Sequence, residues 1–189
     1  LSLGGQAIVV RDGARDLETS LEMARIAVAD GTRTIIATPH ADPLRGTPAP
    51  DLIRERVAEL NARLAQEGID LQVLAGAENV LSDGLPEGIR DGKVMTLGDC
   101  GKYVLIELPF GGYPTFVPEL IFNLQLAGVT PVLAHPERAA MSRSNPGSIE
   151  ELADKGALLQ VNADSLAGRG GRAVAVLAQR LARNKAIWA

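Results

Sequence analysis

The chain has 189 residues, 46% of them hydrophobic, which is enough for one domain with a sizeable core and short for two. A formal net charge of -4, with no local cluster of Lys and Arg, argues against a nucleic-acid partner. The lone Cys100 rules out an internal disulfide, no apolar run approaches the roughly 20 residues that span a bilayer, and no basic-then-apolar leader opens the chain, so a cytoplasmic protein without membrane insertion is expected.

Along the chain, helix-period segments closed by glycine alternate with short apolar runs. Leu17, Leu21, Ala24 and Val28 fall on one helical face, Gly31 offers a left-handed stop, and Thr34–Ala37 follows as a strand. Ile53, Val57, Leu60 and Leu64 repeat that spacing before Gly68, with a strand at Leu71, Val73 and Leu74. Tyr103–Glu107 reads as a further strand. Val117, Ile121 and Leu124 precede Gly128 and a strand over 131–134; Ile149, Leu152 and Ala153 precede Gly156 and a strand over 157–161. Val174, Leu177 and Leu181 predict a last helix, and Ala186, Ile187 and Trp188 the start of a last strand. Segments 41–50 and 111–114, rich in Pro and Gly, read as loops over a site. Apolar strands separated by helices imply a parallel sheet covered on both faces, either a barrel or an open doubly wound sheet; periodicity does not choose between them.

Four ionisable residues sit directly after apolar runs: His40 ends TIIATPH, Glu78 follows LQVLAGA, Glu107 ends YVLIE and His135 ends PVLAH. The carboxyl ends of parallel strands converge on one face, so residues far apart in sequence meet there. Two imidazoles and two carboxylates suit Zn²⁺, Mn²⁺ or Fe, which take mixed nitrogen and oxygen ligands. Either histidine alone could merely cap a loop, and Glu78 could lie on the surface beyond a turn at Gly76. Glu107, set inside an apolar strand, is costly to bury unless paired or metal-bound. Arg138 places a planar guanidinium beside this face and is a candidate for a substrate phosphate, with an ion pair to Glu137 or a neighbour as the bland alternative. Arg169 and Arg172, in AGRGGR, could meet an anion, although a Gly/Arg loop is a weak signal. Cys100 reads as incidental, and Trp188 and the methionines as core.

Several segments carry a family resemblance over nearly the whole chain: DGARDLETSLEMARIAVADGTRTIIATPH (12–40), LAGAENV (74–80), GKYVLIELPF (101–110), LAHPER (133–138) and GALLQVNADSLAG (156–168). Together they resemble the bacterial protein-tyrosine phosphatases of the polymerase-and-histidinol-phosphatase (PHP) superfamily, found with capsule and exopolysaccharide assembly systems. The resemblance implies a distorted seven-stranded, TIM-like β/α barrel. It also implies a metal cluster, usually associated with Mn²⁺, that removes phosphate from tyrosines on a bacterial tyrosine kinase. By position, His40, Glu78, Glu107 and His135 match the family's metal ligands, and Arg138 the arginine that follows the last histidine. The reaction implied is attack of a metal-activated water on the phosphotyrosine phosphorus, with Arg138 offsetting charge on the phosphate oxygens.

The family's opening His-x-His pair falls where this chain has Leu3 and Gly5, and its Ser-Asp-Ala-His type segment falls beyond Ala189. The expectation is therefore a single PHP-like domain over 1–189, incomplete at both ends, with weakened or lost activity. It is either a truncated form of an active enzyme or a degenerate member. Two alternatives stand beside the phosphotyrosine reading: a catalytically inactive phosphate-binding regulatory module, and a small-molecule phosphatase such as a histidinol-phosphatase.

Overall fold

The computed structural model describes residues 14, 16–42, 46, 48–109 and 114–183. Asp16 opens the first helix, its carboxylate accepting the Thr19 amide at 2.8 Å, and thereby satisfies one of the orphan N–H groups of α1 (Leu17–Ala29). The remaining helices are α2 (Pro50–Gln66), α3 (Leu85–Arg90), α4 (Val117–Leu126), α5 (Ala140–Ser144), α6 (Pro146–Asp154), α7 (Ala163–Leu166) and α8 (Arg172–Leu181). Pro sits in the first turn of α2, α3, α4 and α6, where its missing N–H costs nothing. Gly31 and Gly156 end α1 and α6 at φ 90° and 96°, a conformation an L side chain resists.

The strands are β1 (Thr34–Ala37), β2 (His40–Ala41), β3 (Gln72–Ala75), β4 (Glu78–Val80), β5 (Tyr103–Glu107), β6 (Thr130–Ala134) and β7 (Leu158–Gln160). All pairings are parallel, in a two-stranded sheet β1-β3 and a five-stranded sheet β2-β4-β5-β6-β7. β1 and β2 belong to one run interrupted at Thr38 and Pro39; β3 and β4 belong to another interrupted at Gly76 and Ala77. Pro39 has no N–H to give the ladder, but its carbonyl accepts the Glu78 amide at 3.0 Å and carries the pairing across the break. A Cβ on Gly76 would stand 2.8 Å from Ile36 Cγ2 and 3.3 Å from the Ala37 carbonyl oxygen, so the two runs approach closely because that side chain is absent.

The wall thus follows chain order, each run beside the next, without the reversal that defines a doubly wound sheet. The expected closed barrel is not seen: the ladder splits at the two interruptions, and no closed sheet forms among the described residues. The strand expected over 186–188 and the positions of Leu3 and Gly5 lie outside those residues, as does Trp188.

Alternation along the strands separates two apolar layers. Leu105, Val132 and Ala134 pack with Leu97 on one face. On the other, Val104 and Ile106 meet α3 and α4, while Leu133 and Leu159 meet α4, α6 and α8. The α2 face read from the sequence and the Leu21, Ala24 part of the α1 face cover β1 and β3, with Ile53, Val57, Leu60 and Leu64 buried and Val28 partly so, whereas Leu17, at the first turn of α1, is 38% exposed. Among the methionines, Met95 is core as expected, whereas Met23 lies on the solvent side of α1 at 46% exposure. Among the described residues no helix is long and apolar enough to cross a membrane.

Candidate metal centre

Ladder register builds the site. His40 pairs with Glu78, Glu78 with Leu105, and Leu105 with Val132, a row of laterally aligned positions that share one sheet face. Glu107 lies two residues beyond Leu105 and so joins the same face. His40 and Glu78 are the first residues after the two strand interruptions, and Glu107 is the last residue of β5. Their carboxylates and imidazole therefore cap the apolar layer of Leu105, Val132 and Ala134.

The result is compact. One donor atom from each of His40, Glu78 and Glu107 lies within 4.8 Å of the others. His40 Nδ1 is 3.7 Å from Glu107 Oε2 and 3.9 Å from Glu78 Oε1. Two donors bound to one ion at about 2.0–2.2 Å sit no more than about 4.4 Å apart, so both separations suit a shared cation. An imidazole and two carboxylates form a donor set for a borderline or hard divalent ion, and the residues present fit such a metal.

His135 joins the group through Glu78: its Nε2 lies 2.9 Å from Glu78 Oε1, although it stands outside the three-residue set above. Strict alternation after Ala134 would turn His135 to the opposite face. Its backbone instead adopts a left-handed conformation, φ 32° and ψ 52°, which breaks the alternation and re-aims the ring. That conformation is unfavourable for a side chain with Cβ, more so before Pro136, and a bond from the His135 amide to Gln160 Oε1 at 3.0 Å holds it. Burial opposes a charged imidazole at His135. The hydrogen bond and charge of Glu78 outweigh it, with Glu107 assisting and Arg138 opposing, so the pKa stands above the ordinary 6.5.

Glu78 does not take the alternative surface position beyond a turn at Gly76: its side chain is 12% exposed and faces the imidazoles. Glu107 is likewise largely enclosed, at 20%. Arg138 is exposed and lies outside the donor set, yet near enough for its charge to act on His135. The bland partner proposed for it, Glu137, turns inward instead. Glu137 is fully buried, its Oε1 accepts the Asn162 amide at 3.1 Å, and Oε2 has no partner among the described residues.

Two contributors escaped the sequence reading. Glu137 ties the turn after β6 to the segment after β7. Asn79, 3% exposed on the face opposite Glu78, donates to the carbonyls of Ala77, Met95 and Leu105 at 3.1–3.2 Å and fixes the interruption that delivers Glu78. A second polar residue next to Glu78 in the otherwise apolar run LAGAENV was the available hint. Cys100, exposed, donates to the Leu97 carbonyl and takes no part in the site.

Residues 8–189 match a family described as "Capsular polysaccharide synthesis, CpsB/CapC". The tyrosine-protein phosphatase YwqE of Bacillus subtilis is 42% identical over 170 residues, covering 90% of this chain and 66% of that protein. The tyrosine-protein phosphatase CpsB of Streptococcus pneumoniae is 28% identical over 153 residues, covering 81% of this chain and 63% of that protein. The chain thus spans about two thirds of the length of these relatives. A crystal structure from work on YwqE and CpsB, described as unique metal-dependent tyrosine phosphatases, superposes with a TM-score of 0.87 at 40% identity, over 93% of this chain and 71% of that one.

Proposed function

The chain belongs to the CpsB/CapC family of capsular polysaccharide synthesis, and from that premise we propose that it is the greater part of a metal-dependent protein-tyrosine phosphatase. The observation that carries the reading is the convergence of His40, Glu78 and Glu107 within 4.8 Å, with His135 hydrogen-bonded to Glu78. His40, Glu78, Glu107 and His135 would hold a divalent ion, for which we name Mn²⁺. Such an ion, when bound, supplies Lewis acidity toward phosphoryl oxygens and lowers the pKa of water.

The chain's own groups do the rest. Arg138 offers a planar fork to two phosphate oxygens and offsets charge developing on them. Glu78 orients the His135 ring through its Nε2. The apolar layer beneath keeps solvent from the rear of the carboxylates, so their charge acts undiluted on the reacting face. The substrate in this reading is a phosphotyrosine protein, a bacterial tyrosine kinase in the cytoplasm, whose dephosphorylation regulates capsule or exopolysaccharide synthesis. The chain-order parallel wall, open among the described residues, supports a single PHP-type domain in which it forms part of a distorted seven-stranded barrel.

Elemental analysis combined with hydrolysis of a phosphotyrosine peptide in added Mn²⁺ tests the proposal. Bound metal and turnover abolished by His135→Ala, and sharply reduced by Arg138→Ala, are expected. A metal-free protein that binds the phosphopeptide saturably without cleaving it would replace the enzyme with a regulatory module, and faster cleavage of histidinol phosphate would reassign the substrate.

A further inference from the structure

Next to the metal centre lies an open hollow of about 890 Å³, lined by Arg138, Arg143, Arg169 and Arg172 together with Asn162 and the first turn of α8. Four arginines and one carboxylate, Asp164, line it, an excess of three positive charges among its lining residues on a chain whose formal net charge is -4. Among the described residues the Asp164 carboxylate pairs with Arg169, at 2.7 Å. Arg143 donates to the Arg138 carbonyl and so fixes the rim shared with the metal centre. α8 begins at Arg172 without a side-chain cap, and its first-turn amides, which have no intrahelical acceptor, open on the same space.

The hollow and the metal centre form one unit. The His135 amide donates to Gln160 Oε1, and Gln160 Nε2 donates to Asn162 Oδ1, so a wall residue of the hollow is bonded in series to a member of the metal site. Arg138 lines the hollow and lies near enough for its charge to act on His135. The volume is far more than one phosphoryl group occupies, and is of the size that accepts several residues of a ligand. Guanidinium forks of this kind select carboxylate and phosphate oxygens.

We propose that this hollow is a specificity subsite for an acidic peptide segment flanking the phosphotyrosine, with Arg172 and Arg169 receiving its anionic side chains while Arg138 serves the scissile phosphate. The proposal rests on the phosphatase reading for the identity of the substrate, and on the hollow for the flanking charge. Arg172 and Arg169 are exposed and outside the metal centre, so they can be changed without touching it.

The test uses the full 189-residue chain and three fluorescein-labelled peptides: phosphotyrosine followed by glutamates, phosphotyrosine followed by glutamines, and the glutamate peptide without phosphate. Anisotropy should give about tenfold tighter binding of the first than the second at low salt, a gap that narrows as salt screens the exposed charges. Arg172→Gln with Arg169→Gln should erase the gap and leave the glutamine peptide unaffected. Asp164→Asn, which releases Arg169, should widen the gap, a gain that misfolding cannot mimic. Equal binding of the two phosphopeptides, or a preference that survives the double variant, overturns the proposal. Arginine-dependent binding of the unphosphorylated glutamate peptide without phosphotyrosine hydrolysis would uphold the subsite while refuting the phosphatase reading. Hydrolysis with no flank preference would do the reverse.

Discussion

Replacing Glu78 by Gln removes one charge from the centre of the metal site while preserving side-chain volume. Glu78 Oε1 is 2.9 Å from His135 Nε2 and 3.9 Å from His40 Nδ1, so among the described residues it is the carboxylate that bridges both imidazoles. Loss of an outer partner alone weakens metal affinity by about 10–100-fold; removing a charged donor should cost at least the upper figure, about 2.7 kcal/mol. With free Mn²⁺ at about a thousand times the wild-type Kd, binding stabilises the native state by about 4.1 kcal/mol, and a hundredfold weaker site leaves about 1.4. For a domain of this size each kcal/mol moves Tm by about 2–4 °C, so the Mn²⁺-induced rise in Tm should shrink by roughly 5–11 °C in E78Q. Paired melts in Mn²⁺ and EDTA, with titration calorimetry for Kd, read this directly. An E78Q protein that keeps the full metal-induced rise would refute the assignment of Glu78 as a ligand, and with it the geometry of the centre.

In EDTA, the His135 ring should titrate above 6.5 in NMR spectra, and E78Q should bring it down, because burial then acts without the opposing carboxylate. Since the folded pKa is raised, the pair's contribution to metal-free stability is complete below 6.5 and disappears as pH rises through the folded value, so E78Q should be most destabilising in mildly acid EDTA buffers. Gly76→Ala places a Cβ 2.8 Å from Ile36 Cγ2; overpacking of this kind costs about 1–3 kcal/mol, and both urea midpoint and Mn²⁺ affinity should fall as the wall near Glu78 shifts. Asp16→Ala should lower Tm at neutral pH. The Asp16 carboxyl is held below its usual pKa by the Thr19 hydrogen bonds, so the difference should vanish as acid protonates the cap, as melts across pH would record.

Much of the fold was legible because helix and strand periods are local properties of the chain. The buried faces of α2 and α4, the glycine stops and the strands carrying Glu107 and preceding His135 all follow from spacing within a dozen residues. The candidate ligands were legible for a related reason: each alone could have been structural, but four of them closing apolar runs share one address at the carboxyl ends of parallel strands. What spacing could not convey is which face a residue takes once a strand is interrupted. Glu78 turns inward only because Gly76 allows β3 to press against β1 and Asn79 pins the far side of the interruption. His135 reaches Glu78, 57 residues away, only because Gln160 from the next strand holds its backbone left-handed. The arginine-lined hollow joins residues from 138 to 172 on separate elements. Local sequence thus determined the elements and nominated the donors, whereas register between strands, a long-range property set by packing, decided how they meet.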